Sequence, residues 1–82
     1  MRVGDLLMKD PEAFALLYED PYNGLSNEAL FNGTLMVLLK KPERIQQQLT
    51  HGAPGDLMIL CKVLLDDGRM RWVRRVHVKV IK

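Results

Sequence analysis

A single cysteine in 82 residues excludes a disulfide framework. With His51 and His77 as the only histidines, it also excludes a thiolate zinc site. Stability must therefore come from burial, in a chain small enough that its core is marginal unless it packs well or a partner adds surface. Cys61 lies inside an apolar run and reads as a buried, inert thiol suited to a reducing compartment. No apolar run approaches the roughly 18 residues of a membrane helix, and the first residues lack the basic, apolar and small-residue order of a secretory signal. The expectation is one soluble, cytoplasmic domain over residues 1–82, with no membrane contact. Catalytic signals are missing as well. The six glycines are scattered and form no phosphate loop, Asp66-Asp67 fits a turn and Glu19-Asp20 a helix end, and no nucleophile has a sequence-near base. Neither an enzyme nor a cofactor or metal site is expected.

Charge is present but unevenly spread. The net value is +2, yet residues 69–82 hold Arg69, Arg71, Arg74, Arg75, Lys79 and Lys82 with no acid. All ten acids lie in the first 68 residues, so the chain is a charge dipole in sequence.

The last third, Asp56 to Ile81, reads as a long antiparallel hairpin turning at Asp67-Gly68, because an Asp-Gly pair between apolar runs favours a two-residue loop. That loop pairs Leu65 with Met70, Val63 with Trp72, Cys61 with Arg74 and Ile59 with Val76 on an apolar face. Leu64, Lys62, Leu60 and Met58 then share a mixed face with Arg71, Val73, Arg75 and His77. A three-residue loop with a bulge sets Val63 opposite Arg71 and Lys62 opposite Trp72. The cleaner segregation of the first register favours it, and places Trp72 in the core beside Val63, Ile59, Val76 and Leu65.

Upstream, three helices are expected. Asp10-Pro11 has the form of an N-cap followed by proline at the first helical position, and Phe14, Leu17 and Tyr18 fall at helical spacing before Asp20-Pro21. Ser26 caps a second helix over 27–40, with Leu25 stapling against Leu30. Asn32-Gly33 offers an alternative, a turn that leaves residues 34–39 as a third strand. Pro42 begins a third helix that Gly52 ends. The fold class is thus α+β, three short helices and then a C-terminal hairpin. In element order alone this resembles winged-helix domains, in which a helix enters the major groove and the hairpin touches the backbone.

Two functions follow. In the first, a nucleic-acid-binding module places Arg69, Arg71, Arg75 and Lys79 on phosphates, with Arg44, Gln47 and Gln48 as groove contacts. In the alternative, a protein-interaction module or inhibitor uses Met58, Leu60, Leu64 and Val73, interleaved with arginine, to meet a protein partner or a second copy. A dimer is expected from the apolar character on both sides of Met58 to Leu65.

Overall fold

The computed structural model describes residues 1–48, 55 and 57–81. It contains eight strands: β1 (Leu6–Lys9), β2 (Ala15–Leu17), β3 (Glu28–Leu30), β4 (Leu35–Leu38), β5 (Glu43–Gln46), β6 (Leu57–Leu65), β7 (Met70–Arg74) and β8 (Val78–Val80). A 3-10 turn, Arg75–His77, separates the last two. No α-helix occurs among the described residues. The domain is therefore all-β, which corrects both the α+β expectation and the winged-helix likeness; the end of the third expected helix lies outside the described residues.

The helix starts fail for a definite reason. At Asp10-Pro11 the aspartate side chain accepts the Glu12 N–H (3.0 Å) and its carbonyl accepts the Ala13 N–H (3.0 Å). Asp20-Pro21 repeats this arrangement, with Tyr22 N–H on the Asp20 carboxylate (2.9 Å) and Asn23 N–H on the Asp20 carbonyl (3.1 Å). An aspartate that binds its own backbone two residues on, followed by proline at the second turn position, closes a turn as readily as it caps a helix. Ser26 likewise brackets a strand. Its hydroxyl accepts the Glu28 N–H (3.2 Å) and donates to the Leu17 carbonyl. The segment expected as the second helix holds β3, a turn closed by Thr34 N–H on the Phe31 carbonyl (3.3 Å), and β4. Gly33 has φ +84° there, a conformation glycine adopts without the Cβ penalty. Glu43–Gln46, expected at the start of the third helix, is the edge strand β5.

Six strands form one sheet. β4 pairs with β1 and β6, and β1 also pairs with β8. β6 is long enough to take β4 and β5 along one edge, β5 on its first half and β4 on its last, while β7 runs along the other edge. Beyond β7, Tyr18 and Trp72 exchange both backbone bonds (2.8 and 2.7 Å), which attaches the two-stranded β2–β3 ladder. The whole curls into a half-barrel whose first and last strands are neighbours.

The β6–β7 hairpin forms, but in the other register. Leu64 opposes Met70, Val63 opposes Arg71, Lys62 opposes Trp72 and Cys61 opposes Val73. Gly68, at φ +89°, donates to the Leu65 carbonyl (3.0 Å), and Leu65 N–H reaches the Arg69 carbonyl (2.8 Å). This is a three-residue loop with a left-handed glycine and a bulge. Face segregation misjudges it because both faces of this hairpin are covered. On the concave side Leu7, Ala15, Leu17, Leu30, Met36, Leu38, Cys61, Val63, Leu65, Val73 and Val78 make the main core. On the convex side Trp72, 8 % exposed, packs with Tyr18, Ile45 and Leu60, rather than with Val63, Leu65, Ile59 and Val76. Two of those four, Ile59 and Val76, are exposed.

Candidate interaction surface

Residues 10–34 link β1 to β4 and carry the β2–β3 ladder as an arm over the half-barrel. Its inner face is set by strand alternation: Ala15, Leu17 and Leu30 are buried in the main core. Glu28, on the same face at the arm's margin, meets the distal turn. Its carboxylate accepts from Arg69 Nη1 (2.5 Å) and Arg71 Nε (3.0 Å), and Arg71 Nη2 also lies 3.4 Å from Glu19. Asp67 takes Arg69 Nε at 2.7 Å. Hydrogen bonds from the Arg69 backbone and side chain hold the Asp67 carboxyl below its ordinary range.

The expected phosphate-contacting residues are thereby dispersed. Arg69 and Arg71 are held by acids, and the Arg71 side chain is only 16 % exposed. Arg75 donates to the Val78 carbonyl (3.2 Å) in the 3-10 turn. Lys79 is exposed on β8 opposite Met8, and Arg44 is exposed on β5 opposite Ile59. Gln47 is fully buried, whereas Gln48 is exposed and binds Tyr22 and Gly24 through its backbone. The structure does not gather these groups onto one face. Nor does it gather the apolar set proposed as the alternative. Leu60 and Val73 are fully buried on opposite faces, and Met58 and Leu64 are half-covered.

The outer face of the arm is different. Phe14 and Phe31 flank the ends of β2 and β3, where continuation of the Ala15–Leu30 register sets them opposite one another. They are 76 % and 73 % exposed. Tyr22 and Leu25, in the loop between β2 and β3, are also exposed. Residues 10–34 contain Asp10, Glu12, Glu19, Asp20 and Glu28, and no lysine or arginine. The sequence reading misses this surface because it assigns Phe14 to a helix's buried stripe. The signal that bears on it is Phe31-Asn32-Gly33: a turn there ends β3 at Leu30 and leaves Phe31 at the end of the ladder, while Phe14 is set opposite it only by the β2–β3 register.

Elsewhere, Lys9 is buried, and its ammonium donates to the carbonyls of Asp10 (2.8 Å) and Ala13. Burial, and then the charges of Arg74 and Lys9, lower the His77 pKa. Cys61 is buried against Met1, and burial pushes its thiol up to about 11 although Arg75 pulls the other way. Among the described residues there is no group of three or more His, Cys, Asp or Glu side chains placed to hold a metal, and no helix long and apolar enough to cross a membrane. No family model matches the sequence, and neither the curated proteins nor the solved structures include a match to it.

Proposed function

We propose that the protein is a protein-interaction module whose contact surface is the outer face of the arm. The observation that carries this reading is the sorting of its aromatic residues. Tyr18 and Trp72 are buried, while Phe14, Tyr22 and Phe31 are exposed and all lie on the arm. Large apolar side chains grouped at the surface and rimmed by charge are what protein interfaces use as anchors. Nucleic-acid binding is less well supported, since a phosphate would have to displace Glu28 from Arg69 and Arg71. A reducing, cytoplasmic setting fits Cys61, which is a free thiol within the core.

The test compares wild type with the Phe14→Ser/Phe31→Ser variant on an array of synthetic peptides, alongside labelled duplex and single-stranded nucleic acid. Peptide binding that the double change abolishes is the expected result. Nucleic-acid binding that survives the change, and falls with salt at a log–log slope of roughly −3 to −4, as about four phosphate contacts require, is the result that overturns the reading.

A further inference from the structure

We propose that the outer edge of β3 accepts an extended apolar peptide bearing arginine or lysine as an added strand. The peptide's main chain pairs with Ala29, and its side chains alternate between the two grooves beside that edge. This rests on the arm being the interaction surface and specifies how it binds and what it takes.

The direction of the backbone groups follows from one observation. Tyr18 spends both its N–H and its C=O on Trp72. Successive residues of a strand point these groups to opposite edges, so Leu17 and Ala15 turn theirs toward β3. By register, Glu28 and Leu30 are their partners. The Leu17 carbonyl, which also receives the Ser26 hydroxyl, fits that direction. Ala29 must then point both its N–H and its C=O away from β2. No strand occupies that edge among the described residues, and neither group has a backbone partner among them. An edge of this kind is a template for strand addition.

The surroundings fit a guest strand. Ala29, with Leu30 and Phe31, lines both of two grooves. One, of about 470 Å³, lies toward the distal turn with Thr34, Leu65 and Asp66; the other, of about 320 Å³, lies on the outer face with Phe14 and Phe31. A strand paired with Ala29 sends alternate side chains to opposite sides, one set into each groove. Charge decides the guest. Asp66, which has no ion pair among the described residues, borders the first groove with Glu28, and Glu12 borders the second. Lys9 also lines the second, but its ammonium is turned to the Asp10 and Ala13 carbonyls, and residues 10–34 hold five acids and no lysine or arginine. Arg69 also reaches the first groove, but Glu28 and Asp67 hold it. Two copies pairing through this edge would set one acidic arm beside another, which like charges disfavour. A basic, apolar peptide meets both demands.

The experiment is a heteronuclear NMR titration of the whole chain with two short synthetic peptides, one alternating valine and arginine and the other valine and glutamate. Binding of the arginine peptide alone, with a downfield shift and slowed exchange of the Ala29 amide, is expected. Ala29→Pro should weaken that binding about tenfold, as expected from loss of a main-chain donor plus the ring's obstruction. It should leave the melting temperature unchanged, because the N–H it removes has no backbone partner among the described residues and edge strands accept proline. If the Ala29 amide does not respond while Phe14→Ser/Phe31→Ser abolishes binding, edge pairing is overturned and the arm's outer face remains the interaction surface. Failure of both peptides to bind at millimolar concentration overturns the proposal outright. An Ala29 shift that depends only on the protein's own concentration overturns the peptide in favour of a second copy.

Discussion

Replacing Glu28 by glutamine tests how the arm is fastened. The residue sits between two arginines, but they are not equivalent. Arg69 is well exposed and keeps Asp67, so water and salt screen its share. Arg71 is largely covered, and without Glu28 its remaining acid is Glu19, 3.4 Å away on an 81 % exposed side chain. A charged hydrogen bond from a mostly buried guanidinium, partly compensated by the amide that replaces the carboxylate, is worth about 1–2 kcal/mol. For a domain of this size that lowers the melting temperature by roughly 4–16 °C. Calorimetry of Glu28→Gln, Arg71→Leu and the double variant provides the measurement. The two single changes should be coupled by on the order of 1 kcal/mol, and the Glu28 effect should shrink only in part at high salt, because Arg71 is shielded from counterions. An unchanged melting temperature for Glu28→Gln, or additive single changes, would refute the claim that this cluster holds the arm to the barrel.

Trp72→Ala should cost on the order of 3–5 kcal/mol in denaturant unfolding, since it empties the convex cluster of Tyr18, Ile45 and Leu60; a cost below 1 kcal/mol, roughly, would mean the cluster is not packed. Cys61, with its thiol near 11 and its side chain buried, should resist a thiol reagent at pH 8 and react only on unfolding. Fast labelling of the native protein would contradict its burial. His77 is held below its ordinary value of 6.5, so the unfolded chain takes up a proton more readily than the folded one. The resulting stability is complete above about 6.5 and is lost as pH falls through the lower folded-state value. An NMR titration of His77 with a midpoint at 6.5 would remove this dependence, and one above 6.5 would reverse its sign.

What the sequence discloses depends on whether a local signal has one structural use or two. Gly68 has one, and the chain does reverse at Asp66-Asp67-Gly68. The pairing around that turn is harder to read. It depends on Tyr18, just beyond the end of β2 and more than fifty positions away, covering Trp72, and no count outward from the turn contains that residue. Asp10-Pro11 and Asp20-Pro21 have two uses, and their turn geometry becomes evident only once the segment between them is known to be extended. Leu35–Leu38 shows the same ambiguity. A short leucine-rich run has no period that separates a buried strand from a helix, and pairing to β1 and β6 on both edges decides it. The candidate surface was least legible. Arg71 looks like a free cation in sequence because Glu28 is distant along the chain, whereas Arg69 has Asp67 only two residues away, and Gln47 looks like a solvated residue although it is fully buried.

The pairing of Leu7 with Val80 and of Lys9 with Val78 has a kinetic consequence. The β6–β7 hairpin can form as soon as its own residues exist, because its loop is short. By contrast, β1 cannot acquire its second neighbour until nearly the whole described chain has been made. Closing so large a loop costs conformational entropy before any contact repays it, which places folding toward the slow end for a domain this small. Until then an edge carrying Leu6, Leu7 and Met8 remains open, next to a β4 just as rich in leucine. On a ribosome that interval lengthens with every pause upstream of Val78, and pairing with another nascent chain competes with the native partner. Slower elongation over the last third should therefore lower the soluble yield of this protein without altering any contact in its finished form.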